Sequence, residues 1–194
     1  MLENLSKFNI VLASNSPRRK ELLQRLGLTF KVRTLFGVDE SYPSALRGEE
    51  IACYISKKKA EAYLPSMADD ELLITADTIV CTDDGQVLGK PTDAADAQRM
   101  LALLSGCTHK VITGVNIVTK ARTDNFAVTS DVKFATLTQE EIKYYIDNYL
   151  PYDKAGAYGI QDWIGLIAVE EIRGSYFNVM GLPVQRLYTK LKQF

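Results

Sequence analysis

Histidine is almost absent from this 194-residue sequence. His109 stands alone, which excludes a cluster of imidazoles around a metal. A Ser/His/Asp triad is excluded with it, since that would also need a nucleophile elbow the chain lacks. Any metal is therefore expected to be hard and oxygen-bound, such as magnesium or manganese. Cysteine is scarce too. Cys53, Cys81 and Cys107 are widely spaced with no CxxC pattern, which reads as reduced thiols rather than disulfides or a zinc site. No apolar run approaches the roughly 18 residues of a membrane helix, and the start of the sequence lacks the basic-then-apolar layout of an export signal. Internal repeats and low-complexity linkers are missing as well. A net charge of −1 argues against a whole-surface grip on nucleic acid. What remains is a cytoplasmic enzyme or binding protein. With 46% hydrophobic and 24% charged residues, it can bury a sizeable core as one large domain or two lobes.

The most informative stretch is residues 10–27. Ile10 to Ala13 reads as a short buried strand, Ser16 sits where a helix N-cap belongs, and Pro17 suits the first helical position. Leu22, Leu23 and Leu26 share one helical face, and Gly27 can supply a left-handed stop. The start of this helix carries partial positive charge and is suited to an anion such as phosphate. Arg18 and Arg19 add planar forks that match phosphate oxygens, yet oppose the helix dipole, which points to an anionic ligand. A capped surface helix with solvated arginines is the plainer alternative.

Further along, Thr29–Leu35 alternates as a strand would, and Asp39-Glu40 follow in a segment that either serves a metal or lies solvated. Residues 48–63 have helical periodicity, with Ile51, Ala52, Ile55 and Ala62 forming a stripe that Lys58 and Lys59 flank; periodicity alone does not choose between the two lysines. Residues 72–81 form an almost continuous apolar run, the mark of a central strand, interrupted by Asp77. A carboxylate there is costly unless a cation or several donors meet it; the alternative is a turn, with the strand ending at Ala76. Asp83-Asp84-Gly85 signals a hairpin back to Val87-Leu88, and Gly89 and Pro91 frame Lys90. Thr92 can cap a helix running to Leu104. Lys110–Thr119 and Asn125–Leu137 read as an antiparallel strand pair, and Thr138–Glu141 as a capping box. Residues 153–161 form a loop of small residues holding charged and amide groups; Gly165–Ile172 is expected as a strand, and Pro183 opens a last helix with Val184, Leu187 and Leu191 inward.

Arg18, Arg19, a lysine at 58 or 59, Lys90, Asp77 and Glu40 together suit a polyphosphate ester bound with a divalent metal. The strings Leu12-Ala13-Ser14-Asn15-Ser16-Pro17-Arg18-Arg19, Ala76-Asp77-Thr78, Gly89-Lys90-Pro91, Asp153 through Gln161 (DKAGAYGIQ) and Gly181-Leu182-Pro183 resemble, in order over nearly the whole chain, the Maf family of nucleoside triphosphate pyrophosphatases. The resemblance implies a mixed α/β fold of two lobes with a twisted mixed sheet and a central cleft, related to inosine triphosphate pyrophosphatases, over residues 1–194. It implies hydrolysis between the α and β phosphates, a magnesium or manganese cofactor and a homodimer. It places the proton acceptor on Asp77, phosphate contacts on Ser14, Arg18, Arg19, Lys59 and Lys90, and metal ligands on Glu40 and Asp77. Substrate selection falls on Arg18, Thr78 and Gln161. SPRR, ADT and YGIQ accompany a preference for dTTP and UTP in the family, whereas the branch preferring 7-methyl-GTP resembles SPxRR, SDQ and a glutamate in place of the glutamine. The chain departs from the pattern at Asp162, where glycine is usual, and at Tyr149–Tyr152, where an acid often precedes the proline. From other classes, a nucleotide-binding regulator of cell division with incidental catalysis is the chief alternative. A nucleic-acid module built on Arg18, Arg19 and Lys57–Lys59 is disfavoured by the neutral charge and by the lack of an aromatic-basic motif.

Overall fold

A computed structural model of the chain describes residues 2–194. The fold is mixed α/β. The seven strands are β1 (Asn9–Leu12), β2 (Lys31–Val32), β3 (Glu71–Cys81), β4 (Val87–Leu88), β5 (Thr108–Val118), β6 (Thr123–Phe134) and β7 (Val169–Arg173). They form one mixed sheet in the order β2-β1-β3-β5-β6-β7, with β4 paired to β3. β1 runs parallel to both β2 and β3, Val11 opposite Leu73 and Leu12 opposite Ile74, while β4 is antiparallel to β3 and β7 to β6. The helices are α1 (Pro17–Arg25), α2 (Glu49–Glu61), α3 (Ala94–Leu104), α4 (Gln139–Tyr149), α5 (Trp163–Ala168), α6 (Tyr176–Val179) and α7 (Val184–Leu191). Among the described residues no helix is long and apolar enough to cross a membrane.

The chain gathers into two compact units. The first holds Met1–Asp77, Thr113–Val128 and Gly181–Phe194; the second holds Thr78–Ile112 and Thr129–Met180. In the first unit, Val11, Ala13, Ala60, Tyr63, Met67, Leu73 and Val118 form a buried cluster. β3 is buried without a break from Leu72 to Asp77, as expected of a strand covered on both faces. α2 lies so close to β5 that a Cβ on Gly114 would come within 2.2 Å of the Ala52 backbone. Only glycine permits that approach.

Local signals account for several element ends. Ser16 caps α1 through its side chain, accepting from the Arg19 N–H at 3.4 Å, Pro17 opens the helix, and Gly27 follows it in the left-handed conformation (φ +75°). Thr138 and Glu141 form the expected reciprocal capping box on α4. Three expectations are corrected. Residues 165–172 do not form one strand: α5 occupies 163–168 before β7 begins at Val169, since a short apolar run does not by itself tell a helix from a strand; only Ile164 and Ala168 of α5 are buried, and Leu166 is exposed. The strand expected over 29–35 shrinks to Lys31–Val32, because the Tyr63 hydroxyl takes the next backbone groups, donating to Arg33 O at 3.1 Å and accepting from Leu35 N at 2.8 Å. α3 is capped by Asp93 rather than Thr92, with the Asp93 carboxylate accepting from the Asp96 N–H at 2.8 Å.

Candidate active site

Asp77 lies inside β3, not at a turn, and is 8% exposed. Side chains alternate along a strand, so Asp77 shares a face with Thr75. That face meets α2. The Thr75 hydroxyl donates to Ser56 O at 2.6 Å, and the residue three positions further along the helix, Lys59, places its ammonium 2.7 Å from Asp77 Oδ1. The meeting of strand period and helix period thus selects Lys59 over Lys58. Lys58 points to the preceding loop, donating to Asp39 at 2.7 Å and to Ser41 O at 3.1 Å. The Lys58 and Ser41 hydrogen bonds hold the Asp39 carboxyl well below the usual carboxylate range.

Lys59 Nζ is also 2.8 Å from Glu40 Oε1, so one ammonium bridges two carboxylates. Its side chain is 16% exposed and that of Asp77 12%, while Glu40 is more open at 48%. The loop carrying Glu40 is held at two points, by the Tyr63 hydroxyl near residues 33–35 and by Lys58 at 39–41. Two hard oxygen donors converging on one cation position fit a magnesium- or manganese-sized ion. Among the described residues no group of three or more His, Cys, Asp or Glu could hold a metal.

The β1–α1 turn lies in the same unit. Ser14 Oγ accepts from the Ser16 N–H at 3.2 Å and from Arg19 Nη1 at 3.4 Å. Arg19 also donates from Nη1 to Ala76 O at 2.9 Å and from Nε to Gly181 O at 2.8 Å. It is a strut joining the turn to the residue before Asp77 and to the Gly181-Leu182-Pro183 segment. Burial pushes its guanidinium down from the ordinary value, opposed by the negative charges of Asp77 and Glu40 and reinforced by the positive charge of Arg18. As its sequence implies, the helix start has no N–H at Pro17, and the Ser16 hydroxyl takes that of Arg19.

Thr78, Lys90 and Gln161 belong to the second unit. Thr78 is half-buried and follows Asp77 on the opposite face of β3. Lys90 is exposed next to Gly89, whose carbonyl accepts from the Gly156 N–H at 3.0 Å and so ties the two loops together. Gly156 is left-handed (φ +68°), and a Cβ there would meet Val80 at 2.9 Å; Ala157, also left-handed (φ +60°), is strained for a residue with a side chain. Gln161 is exposed on a turn closed by the Asp162 N–H to Gly159 O bond at 3.0 Å. Among the described residues, the Lys90 ammonium and the Gln161 amide have no side-chain partner. Sequence reasoning gave no role to Tyr63 or Tyr145, whose hydroxyl contacts lie 14 to 30 residues away. Tyr63 carries no local signal beyond its apolar setting.

A family model described as Maf-like protein matches residues 9–194. The chain is similar to a protein of Parabacteroides distasonis called dTTP/UTP pyrophosphatase, 61% identical over 194 residues and 100% of both chains. It is likewise similar to a Phocaeicola vulgatus protein of the same name, 60% identical over 193 residues and 100% of both chains. Among solved structures, the Staphylococcus aureus Ham1 protein aligns with a TM-score of 0.45 and 16% identity over 66% of this chain and 72% of that one. With its family model spanning all but the first eight residues, the chain belongs to the Maf-like protein family.

Proposed function

We propose that this protein hydrolyses dTTP and UTP to the nucleoside monophosphate and pyrophosphate. The observation that carries this is the Asp77–Lys59–Glu40 arrangement, a nearly buried carboxylate in a central strand bridged through an ammonium to a second carboxylate. Similarity at about three-fifths identity to proteins called dTTP/UTP pyrophosphatase supports the substrate class. Water attacks the α-phosphorus, Asp77 accepts its proton, and the bond from the α-phosphorus to the bridging oxygen breaks as pyrophosphate leaves. Arg18, Lys59 and Lys90 stabilise charge building on the phosphates, and Ser14 and Arg19 of the β1–α1 turn are further phosphate contacts. An incoming triphosphate draws the Lys59 ammonium toward its oxygens and leaves Asp77 able to take a proton. Glu40 and Asp77 would hold magnesium or manganese, which when bound supplies Lewis-acid polarisation and a more acidic water.

Gln161 carries an amide that can pair with the O4 and N3–H edge of thymine or uracil, with Arg18 and Thr78 as further selecting residues. A homodimer, on the strength of the family resemblance, and the cytoplasm, on the strength of three widely spaced cysteines that read as reduced, complete the proposal. Pyrophosphate release measured across a nucleotide panel, modified pyrimidines included, tests it. Turnover is expected to be highest with dTTP, UTP or a modified pyrimidine triphosphate. Equal rates with purine triphosphates, or release of orthophosphate alone, would contradict it.

A further inference from the structure

The turn that carries Gln161 is gripped by one hydroxyl. Tyr145 on α4 is fully buried, and its ring stacks on Tyr149 at 5.1 Å between centroids. Its hydroxyl accepts from the Gly159 N–H at 3.1 Å and donates to Asp162 Oδ2 at 2.8 Å. Those two partners are the first and last residues of the turn, so one oxygen spans both ends. The same carboxylate oxygen lies 3.7 Å from Lys154 Nζ, which is itself 2.7 Å from Asp153.

The surroundings leave the turn little freedom. A Cβ at Gly159 would lie 2.5 Å from Asp162 Oδ2 and 3.0 Å from Lys154 Cε, so a larger residue there would displace both side chains from the clasp. On the other side a Cβ at Gly165 would lie 1.9 Å from Ile160 O, so α5 presses directly on the turn backbone. Ile160 is buried, whereas Gln161 faces outward. Burial and the Asp162 hydrogen bond raise the Tyr145 hydroxyl far above its ordinary range, so it remains a donor at every working pH.

We propose that the Tyr145 hydroxyl and the Asp162 carboxylate are a positioning pair that fixes the Gln161 turn and thereby sets base selectivity. This rests on Gln161 being the base-contacting residue. Packing alone would be served by phenylalanine at 145; the hydroxyl adds bonds to the two ends of this turn. A two-point pairing with a base needs the side chain held to within tens of degrees, which a loosened turn does not provide. Neither residue touches the substrate; both act through Gln161.

The test compares kcat/KM for dTTP with that for dGTP, alongside the inhibition constant of inorganic pyrophosphate, which does not involve a base. Tyr145→Phe and Asp162→Ala are each expected to lower the dTTP-to-dGTP ratio by about tenfold with pyrophosphate inhibition unchanged. Asp162→Asn keeps an acceptor for the hydroxyl and is expected to stay near the parent ratio. Should Tyr145→Phe fail to fold, Asp162→Ala against Asp162→Asn carries the test. Unchanged ratios in Tyr145→Phe and Asp162→Ala, with a lowered ratio in Gln161→Ala, would overturn the positioning role and leave the role of Gln161 standing. An unchanged ratio in Gln161→Ala would overturn both. Parallel losses for both nucleotides and for pyrophosphate would reduce the pair to a structural role and overturn the proposal.

Discussion

Replacing Lys59 with methionine keeps most of the stem and removes the ammonium. In the parent, that ammonium makes two charge-assisted contacts, 2.7 Å to Asp77 and 2.8 Å to Glu40. Its loss leaves an Asp77 carboxylate with only 12% of its side chain exposed facing a second carboxylate across an emptied cation position. Hydrogen bonds to charged groups contribute about 1.5–3 kcal/mol each, and residual access to water keeps the net loss of stability toward about 2 kcal/mol. Turnover is expected to fall about 10²–10³-fold, as for other preorganised charge stabilisers. Two carboxylates without their ammonium should also bind a divalent ion more tightly, so magnesium or manganese raises the melting temperature of Lys59→Met more than that of the parent. Lys58→Met is the internal control. Its pair with Asp39 is solvated and reaches Asp77 only by steadying the Glu40 loop, so turnover falls at most about fivefold. Steady-state pyrophosphate release with dTTP, together with thermal denaturation with and without metal, reads all these effects. Parent-like turnover in Lys59→Met, or an equal loss in Lys58→Met, would refute the reasoning.

Chelation of divalent cations is expected to abolish turnover, and Glu40→Gln to raise the magnesium concentration for half-maximal rate by about tenfold; undiminished activity after chelation would contradict the assignment. Burial lowers the His109 pKa from 6.5 to about 4, beside Tyr158 and Phe134. The unfolded chain then binds the extra proton first, so stability is full above pH 6.5 and falls as pH drops toward 4, by about 3 kcal/mol in all. Urea denaturation across that range should show the slope in the parent and not in His109→Phe; identical slopes would contradict it. Gly114→Ala forces a Cβ into the Ala52 backbone and shifts the helix that carries Lys59. It is expected to lower stability by about 3 kcal/mol or more and to reduce turnover; a neutral effect in both denaturation and activity would count against the close approach.

Much of the fold is written in local chemistry. Ser16, Pro17 and Gly27 mark both ends of α1, Thr138 and Glu141 mark the start of α4, and the apolar run around Asp77 marks a central strand. These signals work because each is satisfied within a few residues of itself. The strand expected over Gly165–Ile172 misled because a short apolar run fits either a strand or a helix, and the structure starts it as α5, with Ile164 and Ala168 buried and Leu166 exposed. Lys58 and Lys59 were indistinguishable by periodicity, since the choice depends on the phase of α2 against β3, which Ser56 and Thr75 set. Asp162 stood out as a departure from the family pattern, but its partner Tyr145 did not; the pairing is seventeen residues apart and has no local trace.

The central claim is that the carboxylate of Asp77 takes the proton from the attacking water. Asp77→Asn keeps the shape of the residue and an oxygen to accept from Lys59, so binding of dTTP should be nearly unchanged. Pyrophosphate release by Asp77→Asn, measured at saturating dTTP and metal, is expected to fall by about 10²–10⁴-fold or more. Release at the parent rate would contradict the account.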